Sequence, residues 1–106
     1  MGTVPQLDPG QARDLLSREP GTVLLDVREN WEYQQVHVEG CCHIPMDELP
    51  ERLAELNPEQ ALIVLCHHGN RSRQVANWLQ SHGYRVSNVV GGIDAWSEMD
   101  PGLPRY

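Results

Sequence analysis

Residues 61–83 read ALIVLCHHGNRSRQVANWLQSHG. The first five form an apolar run without polar alternation, the pattern of a strand buried on both faces. Beyond the turn the apolar positions change to helical spacing, with Val75, Ala76, Trp78 and Leu79 on one face. Ser72 is the expected N-cap of that helix and Gly83 its C-terminal stop. Between strand and helix lies Cys66 to Arg71, where Gly69 and Asn70 tolerate positive φ. A doubly buried strand that runs straight into a helix is half of a βαβ unit, which makes a parallel sheet the expectation.

The flanking sequence repeats this alternation. In DPGQARDLL (8–16), Asp8 is an N-cap, Pro9 takes the first helical position and Gln11 the third, with Ala12, Leu15 and Leu16 as the apolar face. TVLLDV (22–27) is a short buried strand ending in charge, NWEYQQV (30–36) a short helix, and CHI (42–44) a short strand stopped by Pro45. LPERLAEL (49–56) reads as a helix with Leu49, Leu53 and Leu56 as its stripe. VSNVV (86–90) is the last strand and IDAWSEM (93–99) the last helix. The expected fold class is therefore α/β, a mostly parallel sheet with helices on both faces.

The chain has 106 residues, which is one domain, 1–106, with room for one site. The Pro-containing ends mark an N-terminal boundary segment, 1–6, and a C-terminal tail, 99–106. Fifteen acidic against 8 basic residues give a net charge of -7, the wrong sign for a phosphate-backbone binder, so nucleic acid is not an expected partner. Three cysteines, two of them adjacent at Cys41 and Cys42, do not make a disulfide framework, and a reducing cytoplasm is the expected location. Gly2 stands where a myristoylation signal needs it, but Gln6 replaces the required Ser or Thr, and no apolar run approaches the ~18 residues of a membrane span. No membrane association is expected.

In open α/β sheets, ligands bind beyond the carboxyl ends of the strands. Cys66 falls there, directly after Leu65, and Asp26 and Arg28 end their own strand in the same way. Loop amides turned inward, together with the positive end of the following helix, favour an anion in this turn. The residues thus suggest a thiolate cradled by amides, suited to attack an electrophile or to carry a transferable group.

Four segments in register resemble the single-domain rhodaneses, sulfurtransferases of the thiosulfate type. LLDVRE (24–29) is similar to the family's first strand and charged turn, HVEGCCHIP (37–45) to its His-Ile-x-Gly-Ala-x-His-Ile-Pro segment, CHHGNRS (66–72) to its active-site loop and GGIDAW (91–96) to its C-terminal signature. Val36 stands where the family often has Gly, and Cys41 where it often has Ala. The resemblance implies a five-stranded parallel sheet between helices, a persulfide formed on Cys66, and a wall of loop residues His67, His68, Gly69, Asn70, Arg71 and Ser72 around it. Asp26 and Arg28 are supporting residues. The implied partners are a small anionic sulfur donor and a cyanide or thiol acceptor, with a protein donor or acceptor as a further possibility. The resemblance implies no organic cofactor and no metal.

Several roles have plainer readings. Cys41 and Cys42 flank a short strand and are expected to be structural, as are His37 and His43. His67 and His68 beside a cysteine invite a metal, but the spacing lacks the paired ligands of zinc sites. His68 is the expected loop-lining donor and His67 a solvent-facing spacer. Trp96, Gly91 and Gly92 are packing and turn residues. Arg71 either attracts an anionic donor or ties the loop down through Asp26. Two other function classes stay open: a phosphatase or arsenate reductase, whose C-x5-R loop is one residue longer than the C-x4-R here, and a rhodanese-like binding module, which usually lacks the loop cysteine.

Overall fold

Along the central strand, alternate side chains leave for opposite cores, and this sets the layers of the molecule. The computed structural model describes residues 3–106. Gly2, discounted above as a lipidation site, lies outside the described residues. The strands are β1 (Gln6–Leu7), β2 (Val23–Asp26), β3 (Cys42–His43), β4 (Leu62–Leu65) and β5 (Val86–Val89). The helices are α1 (Pro9–Arg18), α2 (Asn30–Gln35), α3 (Leu49–Arg52), α4 (Asn70–Ser81) and α5 (Gly92–Met99). All strand pairs are parallel, in the order β1-β5-β4-β2-β3. Leu62, Val64 and Cys66 face one core with Leu25, Val75, Ala76 and Leu79. Ile63 and Leu65 face the other with Leu24, Ala12, Ile93 and Trp96. A sheet covered on both faces needs near-continuous apolar strands, which is what LIVL and VLLD supply.

Local rules account for most helix starts. Asp8 caps α1 by accepting from the Gln11 amide at 2.8 Å, while the Gln11 side chain accepts from the Asp8 amide at 2.9 Å. The stretch read as one helix over 49–56 is broken: α3 ends at Arg52 and a 3₁₀ turn, Leu53–Glu55, follows. Leu49 and Leu56 are buried all the same.

Two expectations need correcting. Ser72 is not the N-cap of α4; the helix begins at Asn70 behind Gly69, which takes φ +99°. A left-handed glycine lets the chain turn more sharply than an extended serine cap, so the helix starts three residues earlier and Ser72 falls inside its first turn, fully buried. The boundary segment also contains structure: Val4 is buried, and Gln6 pairs with Asn88 in β1, a strand too short to show a period-2 pattern.

Candidate active site

Parallel β2, β3, β4 and β5 all end on one side of the molecule, and the loops leaving them meet there. Cys66 continues the alternation of β4 toward α4 and is 1% exposed. Its sulfur accepts the Gly69 amide at 3.0 Å, and its thiol donates to Ser72 Oγ at 3.3 Å. The loop thus folds back over the sulfur, and the N-terminus of α4 adds a positive dipole end. Ser72 in turn donates to Asn88 Oδ1 of β5.

The start of α5 braces the loop from behind. The Ile93 amide donates to the Cys66 carbonyl at 2.8 Å and the Asp94 amide to the His67 carbonyl at 3.1 Å. Gly92 takes φ +61° in this contact, and a Cβ there would lie 2.4 Å from both carbonyl oxygens. Gly92 therefore allows two backbones to meet, a closer constraint than the turn role expected of it, while Gly91 takes φ +78° as the N-cap of α5.

Arg71 does not reach Asp26. It forms a two-pronged pair with Glu32 of α2, at 2.6 and 2.7 Å. Asp26 and Arg28 instead pair with each other, fully buried, at 2.7 Å. Arg28 also donates to the Glu32 and Val36 carbonyls and to the Tyr106 hydroxyl, which itself donates to Glu32 at 2.8 Å. One connected network thus ties the turn after β2, α2, α4 and the C-terminal tail together. Burial works to raise the Glu32 carboxyl, but hydrogen bonds from Arg71, the Glu29 amide and Tyr106 outweigh it and hold the group at about 2.

The two loop histidines exchange their expected places. His68 is 62% exposed, 4.0 Å from Asp94. His67 is the half-buried one, its ring stacked between those of His68 and Tyr106 at 3.9 and 4.1 Å. The tail lying over the loop makes this difference, since it covers His67 and leaves His68 outside. Burial, and then the neighbouring His68, push the His67 imidazolium toward its neutral form. Asn70 is exposed at the first position of α4.

Tyr33 is sandwiched between the rings of His37 and His43 at 4.1 and 4.3 Å, and His43 Nε2 bonds the Arg28 carbonyl at 2.7 Å. Both histidines thus support the turn after β2. Cys41 and Cys42 are half-buried and point into opposite cores, and burial raises both thiols, Cys41 to about 11. No group of three or more candidate metal ligands occurs among the described residues. No helix among them is long and apolar enough to cross a membrane. A cleft of about 400 Å³, lined by Glu29, Asn30, Met46, Asp47 and Arg71 among others, opens beside the loop.

Residues 8–99 match the family described as the rhodanese-like domain. The chain belongs to the rhodanese-like domain family. It is 36% identical over 83 residues to a thiosulfate sulfurtransferase GlpE of Tolumonas auensis, with 77% of this chain and 78% of that protein covered. Identity to the GlpE of Actinobacillus pleuropneumoniae serotype 7 is 35% over 103 residues, covering 96% and 93%. A putative sulfur carrier protein YrkF of Bacillus subtilis is 32% identical over 96 residues, and this chain spans 52% of it. The chain spans 30% of a rhodanese-like/PpiC domain-containing chloroplast protein of Arabidopsis thaliana, at 44% identity. Among solved structures, a rhodanese-like domain protein of Staphylococcus aureus superposes with a TM-score of 0.85 at 27% identity, over 97% of this chain and 99% of that one. The rhodanese-like fold expected from the four segments is therefore the fold observed.

Glu32, Tyr106 and Asn88 were not found by sequence reasoning. Asn88 left a signal, a polar residue in the middle of VSNVV, whereas Glu32 lies 39 positions from Arg71 and nothing local joins them.

Proposed function

We propose that this rhodanese-like chain is a sulfurtransferase that moves a sulfane sulfur from thiosulfate or a related donor to cyanide or a thiol through a persulfide on Cys66. The observation that carries the reading is the Gly69 amide on the Cys66 sulfur at the N-terminus of α4. That arrangement favours negative charge on sulfur. The Cys66 thiolate attacks the outer sulfur of thiosulfate, a new S–S bond forms, and the donor's own S–S bond breaks, with sulfite leaving on the bonding pair. The acceptor then attacks the outer sulfur of the persulfide, and Cys66 departs as the thiolate. Loop residues 67–72 form the wall of the site, Asp26 and Arg28 hold the neighbouring turn, and no cofactor or metal takes part. Three free thiols suit a reducing cytoplasm. Intact mass after exposure of the reduced protein to thiosulfate is expected to show one added sulfur atom on Cys66, removable by cyanide or dithiothreitol. Sulfur found on Cys41 or Cys42 instead would overturn the assignment.

The engagement of Arg71 with Glu32 favours a second reading, a persulfide carrier that passes sulfur between proteins. With its guanidinium already paired with a carboxylate, the loop offers a small dianion less attraction. On that reading the loaded protein transfers sulfur to a protein thiol faster than it reloads from thiosulfate. The same pairing weighs against a phosphatase, whose chemistry needs cationic donors aimed at the phosphoryl oxygens.

A further inference from the structure

A buried polar chain leads away from Cys66, and its far end takes no part in the steps above. Ser72 accepts the thiol proton at 3.3 Å and donates its own proton to Asn88 Oδ1 at 2.5 Å. Asn88 is buried within β5, between Ser87 and Val89. Its Nδ2 donates to Gln6 Oε1 on the edge strand at 2.9 Å and to the Gly69 carbonyl at 3.4 Å. Two acceptors on one side assign the amide's orientation, with the carbonyl end toward Ser72.

A hydroxyl has one proton to donate. While Cys66 is a thiol the chain is satisfied, with S–H to Oγ and O–H to Asn88. Once Cys66 is a thiolate or a persulfide, its proton has left to water and a hydroxyl lone pair faces an electron-rich sulfur. Rotation about the Ser72 Cβ–Oγ bond turns the proton onto the sulfur and leaves Asn88 Oδ1 buried without a donor. The amide cannot swing to compensate while Gln6 and Gly69 hold its other end.

We propose that Asn88 is a positioning residue that draws the Ser72 proton off Cys66, making Ser72 a two-position donor that follows the charge on the sulfur. Asn88 thereby opposes charge on Cys66, both in the free thiolate and in the thiolate that departs when the persulfide is discharged.

The experiment follows alkylation of Cys66 by iodoacetamide across pH, assigned by peptide mass. Asn88→Leu frees the hydroxyl to face the sulfur at all times, and the reactivity midpoint is expected to fall by about one pH unit. Asn88→Asp keeps the shape and holds the proton harder, so its midpoint is expected to rise. Gln6→Ala, on an exposed edge position where folding is not at stake, lets the amide turn and is expected to lower the midpoint by less than Asn88→Leu. In a Ser72→Ala background Asn88→Leu and Gln6→Ala are expected to shift nothing, and only the charge that Asn88→Asp adds is expected to register. Apart from the carboxylate that Asn88→Asp adds, the charged and titratable groups near the sulfur, Arg71 with Glu32, His67, His68, Asp94 and Tyr106, are the same in every variant. Cyanide is expected to discharge the Asn88→Leu persulfide several-fold faster, since the stabilised thiolate is the better leaving group, and this arm alone rests on the proposed function. A midpoint unmoved in both Asn88→Leu and Gln6→Ala, or an Asn88→Leu shift that persists with Ser72→Ala, would overturn the proposal. Failure of the unmodified protein to form any persulfide would overturn the sulfurtransferase reading and leave the alkylation result standing.

Discussion

Two cysteines of this chain, Cys66 and Cys42, face the same core, yet only Cys66 has a backbone amide on its sulfur. Burial raises the thiol of Cys42, which makes it a poor nucleophile near neutral pH. Cys66→Ser is therefore expected to abolish thiocyanate formation from thiosulfate and cyanide, with an unchanged circular dichroism spectrum, since the hydroxyl fits the same space. Cys42→Ser is expected to leave turnover within about twofold of the parent, because Cys42 lies on β3 and makes no hydrogen bond to the loop. Loss of activity in both variants would place the chemistry elsewhere.

Helix α5 and the loop after β4 work as one unit, because the amides of the first bond the carbonyls of the second. Gly83 also takes a positive φ, +88°, but with open space around it, so Gly83→Ala meets only the backbone penalty, about 1 kcal/mol. Gly92→Ala meets that penalty and a backbone collision as well, and is expected to cost more than ~2 kcal/mol in urea denaturation and to reduce sulfur transfer. Equal effects of the two substitutions would show that the loop and α5 are not coupled. The loop's length is expected to matter in the same way: one Gly inserted after Gly69 weakens thiosulfate turnover and opens the ring toward phosphate or arsenate, measured as competitive inhibition. Aryl phosphate hydrolysis by the unmodified protein, lost with Cys66→Ser and without sulfur transfer, would overturn this. Elements of this kind were largely legible in the sequence. The capping box over Asp8–Gln11, the doubly buried run LIVL and the Cys66 turn all act over a few residues, and local rules found them. The start of α4 was misread because a glycine in the left-handed region can replace a serine cap, and composition alone does not decide between the two. Glu32, Tyr106 and the order of His67 and His68 depend on how remote segments pack, information that no local pattern contains.

For the molecule as a whole, the Arg71–Glu32–Tyr106–Arg28–Asp26 network links α4, which packs in one core, to the C-terminal tail, which packs on the other. Its pH dependence follows from Glu32, whose carboxyl lies at about 2 in the folded protein against an ordinary 4.5. The unfolded chain therefore takes up a proton first as the pH falls. The stabilisation is complete above about pH 4.5 and is lost progressively toward pH 2, an amount on the order of 3 kcal/mol. The urea midpoint is expected to drop across that window, and Glu32→Gln, which is less stable at pH 7, is expected to show a flatter profile. An identical acid profile in the two proteins would remove Glu32 from this role.

Both flanks of the sheet end in strands of two residues, β1 and β3. An exposed strand edge is a template on which a stranger's backbone can lay down a further strand, and edges this short offer hardly a rung to hold it. The central strand LIVL, which would zip readily with copies of itself, has neighbours on both sides, and VLLD is paired along one side and over Leu25 and Asp26 on the other. In the native state, cross-β growth thus has no place to begin, and aggregation on heating is expected to wait on global unfolding instead of starting from the folded surface.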